Sequence, residues 1–344
     1  MRNPIVKNIY LSKDRTQRFF LAKNYNTNNN LRRYIIHYSL IQGTHMANSK
    51  VSASDVLMLK LAPAERSFRN RIIGFIALAG VGLDILLLPF VIGTAALSGA
   101  RFDDPRLLPL FFATFLAAAV ANITNDTIDA DRDKKKWPRK PLGTGLISKK
   151  EAVIYAVILS GLVIVIAIGV FNLLFLALGM SVIVLNIIYS SYLRDNVGYL
   201  TVMLVLVLIP IAVWSAFSPE TILTPLPWLL ALFVIAYQPA IQVTHEGLDP
   251  NIPALFIRPR PNMERALYIA SVIAVFFVGV AIMLYAHLSW LFVVVLAMFT
   301  AFLLTLQKNL GENRTRENLE KSFQIAMFGN VIYWLAIAIF VWMK

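Results

Sequence analysis

From residue 71 onward the chain alternates long apolar runs with short polar breaks. Nine such runs are legible, at roughly 71–98, 107–130, 151–171, 173–192, 198–217, 226–247, 265–287, 289–307 and 322–343. Charge clusters, Pro/Gly turns or both divide them. Each is close to the length of about 20 residues that a helix needs to cross the hydrocarbon core of a bilayer. The pattern predicts an all-α membrane protein with nine transmembrane helices over residues 71–344.

Composition narrows the class further. Charged residues make up 15% of the 344, against about 25% in ordinary soluble domains, and the mean hydropathy is +0.66. The absence of cysteine excludes disulfides, thiolate nucleophiles, zinc–thiolate sites and iron–sulfur clusters. The 32 Lys/Arg exceed the 19 Asp/Glu to give +13. In a membrane protein that excess reads as orientation and contact with anionic lipid, so the implied partner is the bilayer and no nucleic acid. Positive charge alternates along the chain. Arg132, Lys134, Lys135, Lys136, Arg139, Lys140, Lys149 and Lys150 follow the second run. Arg258, Arg260 and Arg265 follow the sixth, and Lys308, Arg314, Arg316 and Lys321 the eighth. The opposite breaks hold only Arg101 and Arg106. The positive-inside rule then puts the N-terminus and the loops after even-numbered runs in the cytoplasm.

Residues 1–45 differ. They carry eight Lys/Arg against the single acid Asp14, together with the run Asn28, Asn29 and Asn30. No apolar stretch there is long enough for a signal-peptide core or a membrane helix. Low hydrophobicity cannot offset the entropy of ordering, so the segment reads as a disordered basic arm, a targeting segment, or a mis-annotated start with translation from Met46. Residues 46–70 read as a cytoplasmic lead-in to the membrane domain.

Candidate chemistry sits at the end of the second run, in the segment from Ala121 to Asp133. On a helix counted from Asn125, Asp129 lies at about 40°, Asn122 at about 60°, Asp133 at about 80° and Asp126 at about 100°. Asp131 points away, at about 240°. Three carboxylates and two carboxamides therefore share one stripe. Like charges one turn apart destabilise a bare helix, and acids at a membrane face cost more still, which makes the stripe a functional candidate. Hard oxygen ligands at this spacing suit Mg²⁺ bridging carboxylates to substrate phosphates. The plainer alternative is a solvated acidic helix end neutralised by Lys134 to Lys136, which leaves the shared face unexplained.

The segment Asn125-Asp126-x-x-Asp129-x-x-x-Asp133 resembles the first aspartate-rich motif of the UbiA superfamily of intramembrane prenyltransferases. Lys140-Pro141-Leu142-Gly143-Thr144-Gly145-Leu146-Ile147-Ser148, followed by Glu151-Ala152, resembles the family's basic-Pro-Leu-x-x-Gly segment. Tyr189-Ser190 with Leu193-Arg194 resembles its Tyr-Ser…Leu-Lys ending of the fourth helix. The resemblance covers about residues 65–344 and implies nine helices around a central cavity. The second motif departs. Anchored on Tyr237, the family's Tyr-x-x-x-Lys-Asp-x-x-x-Asp pattern meets Ile241, Gln242 and Glu246, with His245 and Asp249 nearby. Glu246 and Asp249 remain metal candidates and Gln242 a neutral oxygen ligand. Arg258, Arg260 or Arg265 stands in for the missing lysine, since an arginine fork grips phosphate.

The resemblance also implies a mechanism. Mg²⁺ held by Asn125, Asp126, Asp129, Asp133, Glu246 and Asp249 binds an isoprenyl diphosphate and neutralises it as the allylic C–O bond ionises. The cation then alkylates a lipophilic acceptor: a quinone precursor, a tetrapyrrole, an ether lipid or a carotenoid. Asp126, Asp129 and Glu246 are the catalytic candidates, with His245 as proton acceptor or as a pairing group beside Glu246. Asn122, Arg139, Lys140 and Arg194 are candidate substrate contacts. Tyr189, Tyr192 and Tyr237 are candidate neighbours for the cation, or packing residues. Asp84, alone in the first run, reads as an acceptor-binding group or as a helix-packing hydrogen bond. His37, His45 and His287 belong to no constellation. Two other classes stay open, an offshoot that ionises or cyclises an isoprenoid without an acceptor and a transporter or non-catalytic scaffold. A transporter favours inverted repeats, and none is evident.

Overall fold

The computed structural model of the chain describes residues 67–80, 87–136, 140–248, 261–310 and 315–344. Among them every regular element is helical. Ser67 accepts the Asn70 N–H and starts α1, Phe68–Leu78. α2 is Leu88–Leu97 and α3 is Leu107–Lys136. Ser148 and Glu151 form a reciprocal capping box that opens α4, Lys149–Val170. Asn172 caps α5, Leu173–Ile188, and a single π-helical turn, Tyr189–Leu193, leads into α6, Arg194–Phe217. α7 is Pro225–Leu248, α8 Pro261–Tyr285, α9 Leu291–Leu306 and α10 Arg316–Trp342.

Six helical stretches are long and apolar enough to cross a membrane: Leu107–Asp131, Lys149–Val170, Leu173–Leu193, Met263–Tyr285, Leu291–Asn309 and Glu317–Trp342. Shorter apolar stretches are Leu88–Leu97, Thr201–Phe217 and Pro225–Ile241. Among the described residues, then, six apolar helices are of spanning length and three are shorter, against the nine full-length runs expected. Many apolar side chains face outward, as on α4, where Val157, Ile158, Val165 and Ile168 are exposed. Such a surface fits lipid and not water.

Three expectations need correction. The run at 71–98 is not one helix. α1 stops at Leu78, and Gly80 takes φ +73°, where a Cβ would also sit 2.3 Å from the Asn122 amide nitrogen. That amide donates to the Ala79 carbonyl at 3.1 Å, so a side chain from α3 caps the break. Second, the cluster Arg132 to Lys136 is not in a loop, because α3 continues for 30 residues, about 45 Å. Third, no irregular break separates the fourth and fifth runs. The π-helical turn joins them, and α5 packs along α6.

Two packing regimes follow. α7–α10 enclose an aromatic core with Tyr268, Phe292, Tyr333 and Trp334 buried. α2 docks against α10 there, at Gly93, where a Cβ would lie 2.7 Å from the Trp334 ring. α3–α6 instead bury small side chains such as Ala113, Ala167 and Ala212.

Candidate functional site

The acid stripe lies on the last three turns of α3. Asp129 is buried, Asp126 and Asp133 are largely buried, and the Asp131 side chain is 89% exposed. The stripe thus faces protein while Asp131 pairs outward with Lys149 at 2.8 Å. Asn125 joins it one residue before Asp126 and accepts a hydrogen bond from the buried Ser190 hydroxyl at 3.2 Å. Ser190 belongs to the π-helical turn, a geometry that widens the helix locally and recurs at functional sites.

Lys140 closes the stripe. Its ammonium donates to Asp126 Oδ1 at 2.8 Å and to Asp133 Oδ2 at 2.7 Å. The Lys140 carbonyl accepts the Thr144 N–H at 2.9 Å, and the Thr144 hydroxyl donates to the Pro141 carbonyl at 3.1 Å. Leu146 and Ile147 bury beside Ala119, Ile123 and Ala152, which anchors that turn between α3 and α4. Arg71 of α1 pairs with Glu151 at the start of α4. Burial disfavours the Lys140 ammonium, but the Asp126 and Asp133 carboxylates outweigh it and hold the group above the usual lysine pKa.

Among the described residues no group of three or more His, Asp or Glu side chains is arranged to hold a metal ion. Two carboxylates of the stripe do converge on a single cation, the Lys140 ammonium. A hard divalent ion asks for the same oxygens.

Beside the stripe lies a cavity of about 290 Å³, walled by α3–α6 with Leu87. Ala113, Ala117 and Ala121 of α3 and Gly179 of α5 leave the space open. Its polar lining is Thr114, Asn122 and Asn186. Asn122 therefore caps α1 and borders the cavity, four residues before Asp126. At the cavity's other end the Phe175 ring is tilted 45° against Phe171 with centroids 4.5 Å apart, and Phe171 meets Phe217 at 6.4 Å. Arg106 lies over Phe217 at 4.7 Å, held by two nitrogens on Asp104.

Not every expected residue gathers here. Tyr237 is buried in the aromatic core, where its hydroxyl donates to the Ala326 carbonyl at 2.9 Å, and it does not line the cavity. Tyr192 is exposed at 77%. Tyr189 opens the π-helical turn that holds Ser190 to Asn125. Asp84, Arg139 and Asp249 lie outside the described residues. For Arg194, Gln242, His245 and Glu246 only the helical backbone is described, on α6 and α7. Sequence reasoning passed over Ser190 and Asn186 as site members. The signal for Asn186 was present, a carboxamide near the end of the apolar run 173–188.

Comparisons with known proteins bear on the family and the fold. The model of the UbiA prenyltransferase family matches residues 86–342. Protoheme IX farnesyltransferase of Saccharolobus islandicus is 23% identical over 296 residues, covering 81% of this chain and 99% of the relative. Digeranylgeranylglyceryl phosphate synthase of Thermococcus sibiricus is 40% identical over 60 residues, 17% of this chain and 22% of the relative. The apo structure of a UbiA homolog from Aeropyrum pernix K1 shares the fold, with a TM-score of 0.62 at 20% identity over 77% of this chain and 99% of that one. With three quarters of its length matched by one family model, and with that fold, this chain belongs to the UbiA prenyltransferase family.

Proposed function

We propose that the protein transfers an isoprenyl group from an isoprenyl diphosphate to a lipophilic acceptor within the membrane, with Mg²⁺ as cofactor. One observation carries this reading: an inward acid stripe that grips a cation adjoins an apolar cavity on the same helix. Family membership supports prenyl transfer, and relatives named for protoheme IX and for digeranylgeranylglyceryl phosphate support a lipophilic acceptor.

Asp126, Asp129 and Asp133, with Asn125, would hold the metal, joined by Gln242 and Glu246 of α7 and by Asp249. When bound, Mg²⁺ supplies neutralisation of the charge that develops on the diphosphate as its allylic C–O bond breaks. Lys140, Arg139 and Arg194 bind diphosphate oxygens. The cavity takes the apolar tail and excludes water, which protects the cation from hydrolysis. Tyr189 offers a ring face to that cation. His245 accepts the proton that the alkylated acceptor releases. Asp84 contributes to acceptor binding. The three shorter apolar helices complete nine crossings, with the acid stripe on the cytoplasmic side according to the distribution of Lys and Arg.

The test uses purified protein in lipid with isoprenyl diphosphates of several chain lengths, each offered with and without a haem, a quinone precursor or a glycerol-phosphate ether. Diphosphate release should require an acceptor and Mg²⁺, and stop on chelation. Release without any acceptor would support the ionising or cyclising offshoot. No release under any condition would overturn the proposal.

A further inference from the structure

The ammonium of Lys140 stands between two carboxylates that the proposed reaction assigns to metal. Asp126 and Asp133 are seven residues apart, two turns of α3, yet their side chains meet on this one nitrogen at 2.8 and 2.7 Å. We propose that Lys140 is an internal counter-ion that keeps divalent metal off the acid stripe until a diphosphate arrives. This inference rests on the metal-binding reading above and adds its regulation.

Three observations support exchange at this position. The acids need a positive charge whether or not substrate is present, because like charges at one-turn spacing on α3 repel. Lys140 supplies it from outside the helix, beyond Lys136 where α3 ends. Its backbone is also tied independently of its ammonium. The Lys140 carbonyl accepts the Thr144 N–H, and Leu146 and Ile147 are buried, so the four-carbon side chain can turn away while the turn stays in place. Finally, the pair is specific to the inward face. Lys149 meets Asp131 at a similar distance, but that pair is exposed and faces away from the stripe.

The consequence is linkage between metal and substrate. A bare divalent ion must displace a charge-assisted pair and leave the ammonium without a partner. An ion arriving with a diphosphate brings the anion to which the released ammonium moves, so each favours the other's binding. Bond making here is ionic only. One monovalent cation leaves the carboxylates and one divalent cation replaces it.

Mn²⁺ alone is the probe, with the full chain in detergent, no diphosphate present and bound metal read by electron paramagnetic resonance. Wild type should bind weakly. Lys140→Met should bind at least tenfold more tightly, and Lys140→Gln likewise, because it keeps a donor without the charge. Lys140→Arg should resemble wild type. Metal-free Lys140→Met should melt at a lower temperature than wild type, and Mn²⁺ alone should restore the loss. If neither neutral variant gains affinity, Lys140 is not the counter-ion. Asp126→Asn added to Lys140→Met should abolish the gain. Retained binding in that double variant would instead sink the metal assignment itself.

Discussion

Where α7–α10 meet, Phe233 stacks on Tyr333 at 5.2 Å and Tyr333 on Phe299 at 4.8 Å, and Trp334 fills the space against Phe90. Where α3–α6 meet, Ala113, Ala117, Ala121 and Gly179 border a cavity of about 290 Å³. The two regions belong to one helical bundle and resemble each other in hydropathy. They differ in side-chain volume at the facing positions. Interiors normally fill to crystal-like density, and a void forfeits contacts on its whole lining. Under the proposed function, the space left open next to the acid stripe is where the isoprenyl tail would supply the missing contacts.

The largest effects should fall on the open half and appear in turnover. Asp126→Asn should lower activity by at least about a thousandfold, near 4 kcal/mol of barrier, whereas Asp131→Asn should stay within about twofold. Diphosphate release from lipid-reconstituted protein measures both. Equal losses would reduce the stripe to helix-end electrostatics.

Stability should respond in the filled half. Trp334→Ala should cost about 3–5 kcal/mol, by loss of packing plus the cavity left behind. Ala117→Leu, which fills space that is already open, should change stability by less than about 1 kcal/mol while reducing turnover at least tenfold. Unfolding in detergent and prenyl transfer, measured side by side, separate the two. A severe stability loss in Ala117→Leu would mean that the cavity collapses easily and is not a kept space.

Tyr237→Phe removes a hydroxyl whose only described partner is a backbone carbonyl of α10. It should cost about 0.5–1.5 kcal/mol in unfolding and leave turnover within about twofold, as expected of a core residue. A large loss of turnover would return Tyr237 to the site.

The smallest effect concerns the clasp at the cavity's far end. Arg106 donates to Asp104 and holds its carboxyl below the ordinary value of 3.8, against the opposing pull of burial. A lowered carboxyl contributes stability that is fully present above that ordinary value and is lost as pH falls through the folded-state value. Asp104→Asn should therefore cost about 0.5–1 kcal/mol near neutral pH, discounted because Arg106 is partly exposed. The difference from wild type should shrink below pH 3.8. A gap that does not change with pH would show that shape and not charge sets the contribution of this pair.

What could be read from the sequence depended on distance along the chain. Helical runs and the acid stripe are local patterns, so a fixed 100° per residue separates Asp129 from Asp131 without further knowledge. The break after α1 was not legible, because Gly80 lies inside an apolar run and its cap is an amide 43 residues away. Lys140 was visible as a basic residue near the motif, but not that its side chain returns across the helix end to bridge Asp126 and Asp133. Tyr237 looked like a motif anchor because its neighbours were aligned by type. What decides its place is a carbonyl on α10, 89 residues further on. The cavity is the least legible feature, since no local rule says which alanines face each other.

The docking of α2 on α10 sets a schedule for biosynthesis. Phe90 and Gly93 of α2 find their partner in Trp334, and Trp342 donates to the Ala100 carbonyl from 242 positions later in the chain. At a synthesis rate of about 5–20 residues per second, that partner emerges roughly 10–50 seconds after α2 does. For that interval lipid or the insertion machinery must cover the α2 face. Substitutions there should therefore show first as poor membrane yield, before any purified sample reveals a fault.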